Sequence, residues 1–82
     1  MLPSQIDQAV LLEIARREHG PVEVALFWDP SSSSATVVVW NWSSGACLQP
    51  PARAEQATYA FTHPYAYAAA QGVSERNLLR AA

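Results

Sequence analysis

An α+β domain is expected from three features of this chain. Residues 4–19 carry apolar side chains at helical spacing and end at Gly20-Pro21. Residues 22–28 and 35–42 are short apolar runs bounded by turn-forming clusters. From about residue 52 onward the chain becomes rich in Ala and Tyr, with a break at His63-Pro64. The expected order is an N-terminal helix, an antiparallel meander of two or three strands, and a C-terminal helical region broken at Pro64.

The first helix has Ser4 as N-cap after Pro3, with Asp7 near the positive end of its dipole. Projected at about 100° per residue, Ile6, Val10, Leu11 and Ile14 form one broad apolar arc. Leu12 and Ala9 fall outside that arc, so the helix is greasier than one buried stripe requires. Gly20 followed by Pro21 is a strong helix stop.

In residues 22–28, Val22, Val24, Leu26 and Trp28 alternate with Glu23, Ala25 and Phe27, the period of a strand. Asp29-Pro30 and the serines at 31–34 make a polar turn. In residues 35–42 one face carries Thr36, Val38, Trp40 and Trp42, and the other carries Val37, Val39 and Asn41. Ser43-Ser44-Gly45 is a second turn, residues 46–49 can add a short third strand, and Pro50-Pro51 ends it. Helix resumes near Pro51 or Ala52 and runs to about Phe61. Pro64 then kinks the helix or opens a new one, Gly72 stops it, and Ser74 can cap a last turn through Leu79 within a frayed tail over 74–82.

The 35–42 strand is apolar on both faces, so both should be covered. A three-stranded sheet is about 15 Å wide, and one helix covers about 10 Å. Either the first helix takes one face and the Tyr-rich helix the other, or both helices share a face. In the second arrangement the remaining aromatic face meets a second copy or a partner.

Composition narrows the function. The 82 residues make a single small domain, 1–82, with net charge −2 and half the residues apolar. There is no Lys, and the five Arg are scattered apart from Arg16-Arg17, so nucleic acid is not an expected partner. Fifteen Ala with no Lys point to a GC-rich bacterial or phage coding sequence. The single Cys47 permits no internal disulfide, and a reducing, cytoplasmic setting is expected. No apolar run nears the roughly 20 residues of a membrane span, and Asp7 and Glu13 interrupt any secretory leader.

Catalytic and metal signatures are missing from the pattern. His19, His63 and Cys47 sit at no ligand spacing, so no metal or cofactor is expected. Cys47 between Ala46 and Leu48 has the setting of a small buried hydrophobe rather than of a nucleophile. An enzyme would have to use Cys47 or His63 alone. The three Gly make no phosphate loop.

Two surfaces remain as candidates. Trp28, Trp40 and Trp42, with Leu12, are the residues expected to bind a partner, because Trp buries much area at few rotors. Tyr59, His63, Tyr65 and Tyr67 surround the Pro64 break and can line a small-molecule pocket. The first reading is a non-catalytic protein-interaction or regulatory module, homodimeric, of the regulator or inhibitor kind. The alternative is a small-molecule-binding domain built around His63.

Overall fold

A computed structural model describes residues 11–77. Its order is β1 (Leu12–His19), β2 (Val22–Asp29), β3 (Ser34–Asn41), β4 (Ala46–Leu48), β5 (Pro51–Arg53), a 3₁₀ turn (Ala54–Gln56), α1 (Ala57–Thr62), α2 (Pro64–Gln71) and β6 (Arg76–Asn77). The sheet runs β1-β2-β3-β4-β6, with β5 also paired to β3, and every pairing is antiparallel. Among the described residues the protein is therefore mostly antiparallel sheet, six strands rather than two or three, with both helices late.

The largest departure from expectation is at the start. Leu12–His19 is a strand, not the second half of a helix. The expected cap at Ser4, with Pro3, Asp7, Ile6 and Val10, lies outside the described residues. Leu, Glu, Ala and Arg favour helix by only a few tenths of a kcal/mol each, about what pairing to a tethered neighbour overrides. The tether is Gly20-Pro21, a two-residue hairpin loop between the paired His19 and Val22. Gly20 has φ +60°, which suits the first central position of a type II′ turn and leaves Pro21 its natural negative φ. The same dipeptide that ends a helix thus reverses a strand. A bulge at Ile14, between the paired Glu13 and Ala15, breaks strict alternation along β1. That extra residue hides the strand period and supplies an apparent helical one.

β2 and β3 fall within a residue of their expected bounds and pair in one register from Val22↔Asn41 to Asp29↔Ser34. Asp29 shapes their connection: its Oδ1 accepts the Ser31 amide at 2.9 Å and the Ser31 hydroxyl at 2.7 Å. Asn41 does the same for the next turn, accepting the Ser43 and Ser44 amides.

Pro50-Pro51 does not end the pairing. β4 and β5 lie along β3 in one continuous register, Leu48 opposite Val39 and Pro51 opposite Thr36. Between them the Val37 amide donates to the Pro50 carbonyl at 3.0 Å. Two prolines lack the N–H groups of a regular ladder, so one strand is split into two short ones. Helix consequently starts later than Pro51 or Ala52. At the C-terminal side Arg76–Asn77 pairs with β4 where a last helical turn through Leu79 was expected; Leu79 itself is outside the described residues.

Both helices pack on one face of the sheet. Val24, Val37, Val39, Leu48, Ala35 and Ala52 are buried there against Ala60, Tyr67 and Ala68. The alanines let the helix backbones approach closely, and full burial of each valine contributes about 1.5–3 kcal/mol. His63 separates α1 from α2, with Pro64 at the first turn of α2. Gly72 closes α2 in the left-handed conformation. The Gly72 amide donates to the Ala69 carbonyl and the Val73 amide to the Ala68 carbonyl, and Val73 packs on the core. Arg17 ties the sheet to α1, its Nη2 donating to the Phe61 and Thr62 carbonyls at 2.7 and 3.3 Å. Among the described residues, no helix is long and apolar enough to cross a membrane.

Candidate functional site

The opposite face of the sheet has no helix over it among the described residues. Strand alternation decides which side chains it presents. Ala25 faces Val38 across β2 and β3, Phe27 faces Thr36, and Glu23 faces Trp40. Cys47 of β4 faces Trp40 from the other side. On β1, Arg16 stands opposite Ala25 and Glu13 opposite Phe27. Trp42 follows β3 directly and extends the ladder by one bond, its amide donating to the Pro21 carbonyl at 2.9 Å.

The two tryptophans are organised. Their rings meet edge to face with centroids 5.2 Å apart. The Trp42 indole N–H donates to Glu23 Oε1 at 2.8 Å, while Trp42 itself remains 65% exposed. Its ring is thus oriented without being covered. The Trp40 indole nitrogen is the one buried side-chain polar atom among the described residues that lacks a partner. Arg16, Glu23, Ala25, Phe27 and Val38 with both tryptophans border a shallow concavity of about 230 Å³.

An ion network lies beside the rings. Arg16 binds Glu13 through two nitrogens, at 2.7 and 3.1 Å, and also pairs with Glu23. The Trp42 N–H, then Arg16, hold the Glu23 carboxyl below its ordinary range against an opposing desolvation effect. Arg16 likewise lowers Glu13, and the two carboxylates raise the guanidinium further above its ordinary value. Glu13, on the same face, opposes the ionised form of Glu23 only as the last of these effects.

The expected partner-binding residues are divided by the sheet. Trp40 and Trp42 share the bare face. Trp28 is on the other side, partly buried against the core, where it borders an apolar concavity with Ile14, Leu26 and Ala57. Leu12 pairs with Trp28 at the sheet edge and is 47% exposed, close to the exposed Leu11 and Ile14.

The aromatic cluster is divided too. Tyr67 is buried and its hydroxyl bonds Gln56 Oε1 at 3.0 Å. Tyr59 lies between His63 and Tyr67, with centroids at 5.0 and 6.3 Å. His63 and Tyr65 point instead to a cleft shared with Arg17 and His19. Cys47 is buried on the bare face, with Gln49 Nε2 at 3.4 Å from its sulfur, so the sheet separates it from both histidines. No three of His, Cys, Asp and Glu converge among the described residues.

Sequence reasoning set Val38 on the face of Trp40 and Trp42 but missed Arg16, Glu23 and Phe27 as their companions. The alternation of β2 was enough to place Glu23 and Phe27 on one face. Arg16 had no such signal, because the bulge masked the strand that carries it. Comparison with protein-family models, curated proteins and solved structures finds no match for this chain.

Proposed function

We propose that this protein is a non-catalytic interaction module that docks through its bare sheet face, and that the docked partner is a second copy of itself. The carrying observation is Trp42, 65% exposed yet held in place by Glu23 and Trp40. A fixed, uncovered Trp loses little side-chain entropy on docking, which is what makes the residue effective at the centre of interfaces.

Two further features support a second copy. The face carries both signs of charge, Arg16 between Glu13 and Glu23, so a twofold rotation can bring Arg16 of one copy towards a carboxylate of the other. Its size is also adequate. Eight-residue strands span about 26 Å and four strand positions about 19 Å, a footprint of about 500 Å² per copy and about 1,000 Å² for the pair, the lower bound for a specific interface.

The test is light scattering coupled to size exclusion over about a hundredfold range of concentration, on the wild type and on Trp42→Ala. The expected result is a wild-type dimer and a variant whose dimer dissociates at least about tenfold more readily, with unchanged circular dichroism. A wild-type monomer throughout, or a Trp42→Ala chain that unfolds, overturns the reading.

A further inference from the structure

Away from the bare face, on the side of the sheet that holds the helices, the molecule gathers three basic side chains that lie far apart in sequence. Arg17 and His19 project from β1, and His63 comes from the elbow between α1 and α2. They border one open cleft of about 420 Å³, floored by Val22 and Val24 and flanked by Tyr65. Among the described residues no Asp or Glu borders it, although the chain carries seven of them and a net charge of −2. Its volume falls in the range of about 300–1,000 Å³ that small-molecule sites occupy.

Arg17 is held in position rather than swinging freely. Its Nη2 donates to the Phe61 and Thr62 carbonyls, and its guanidinium lies 5.1 Å from the centroid of the Phe61 ring. Its Nε and Nη1 donors have no acceptor among the described residues. A guanidinium held through Nη2 keeps single donors at Nε and Nη1 for an oxyanion, and both imidazoles can add donors beside it. The valine floor has no polar group to offer and favours an apolar body.

We propose that this cleft binds a small organic oxyanion, a carboxylate or phosphate group attached to an apolar or aromatic body. The oxyanion takes a single hydrogen bond from the unpaired Arg17 donors together with His19 and His63. The body lies on Val22 and Val24. This site is independent of the sheet face proposed for self-association, because the two lie on opposite sides of the sheet.

Binding is followed on the full chain by NMR, in amide and methyl spectra, with phenyl phosphate, benzoate and inorganic phosphate as separate probes. Saturable shifts are expected at His19, Val22, Val24 and residues 62–66, with phenyl phosphate or benzoate bound about tenfold more tightly than inorganic phosphate. Which of the two aromatic probes binds more tightly identifies the head group. The double variant His19→Gln, His63→Gln leaves the Arg17 bonds to α1 in place. It is expected to weaken binding about tenfold while the rest of the spectrum is unchanged. Shifts of equal size at Arg53 and Arg76, the absence of saturation, equal affinity for all three probes, or an unaltered double variant overturns the proposal.

Discussion

Val37 and Val38 are neighbours in the chain and occupy opposite surroundings. Val37 is fully buried beneath the helices, among Val24, Val39, Ala60 and Tyr67. Val38 stands on the bare face with Ala25, Phe27 and Trp40 around it. The covered face is packed by valines and alanines with Leu48 and Tyr67, and among the described residues it has no ion pair within it. The bare face carries large rings, one arginine and the carboxylates of Glu13, Glu18 and Glu23, and among the described residues no helix lies over it. The difference separates two tasks that a single strand performs. One side of β3 holds the domain together, and the other keeps aromatic surface oriented and available.

Paired substitutions test that division most directly. Val37→Ala should cost about 2–3 kcal/mol in urea denaturation, because it removes two buried methyl groups and leaves a cavity. Val38→Ala should cost less than about 1 kcal/mol and instead weaken self-association in the scattering experiment. Equal losses of stability at the two positions would show that the bare face is core in solution.

A smaller effect is expected where the helices meet their own support. The Tyr67 hydroxyl bonds Gln56 and links α2 to the turn that precedes α1. Tyr67→Phe keeps the ring in the core and should cost about 0.5–1.5 kcal/mol by thermal or urea unfolding, with no change in oligomeric state. A change of oligomeric state would mean that the two faces are coupled through the sheet.

The smallest effect concerns the bare face and pH. The Trp42 N–H and Arg16 favour the ionised form of Glu23, so its folded value lies below its unfolded one. Such a group stabilises the fold above its unfolded value, and the contribution disappears as pH falls through the lower folded value. Glu13 and Asp29 act in the same direction, through Arg16 and through Ser31. Trp42 emission should therefore stay constant through neutral pH and change only on acidification below the ordinary range of a glutamate carboxyl. Glu23→Gln should remove that step. A Trp42 transition that persists in Glu23→Gln would assign it to another group.

Much of this is legible without coordinates, and the legible part is local. Alternation along β2 and β3 sorts Val37 and Val39 from Val38 and Trp40. Asp29 and the serines after it mark a turn, Pro64 marks the break between helices, and Gly72 marks the end of α2. Each signal acts within a few residues, through side-chain period or through a backbone angle that one residue type prefers. The division of the tryptophans was legible in the same way, since Trp28 alternates in phase with Val24 and Leu26.

The tertiary structure decided what depends on distant partners. Leu12–His19 has good helix formers and becomes a strand because β2, two residues away across Gly20-Pro21, supplies a ladder and the bulge at Ile14 absorbs the misfit. Pro50 and Pro51 interrupt hydrogen bonding but not register, since β3 on one side and the helices on the other hold the segment in place. The placing of α1 and α2 on one side follows from how the connection after β5 crosses the sheet. That crossing leaves the face of Trp40 and Trp42 without a helix over it among the described residues and brings Arg17, His19 and His63 to one cleft. Periodicity reports what a residue prefers next to its neighbours in the chain; packing energies across the sheet decide between the faces it can take.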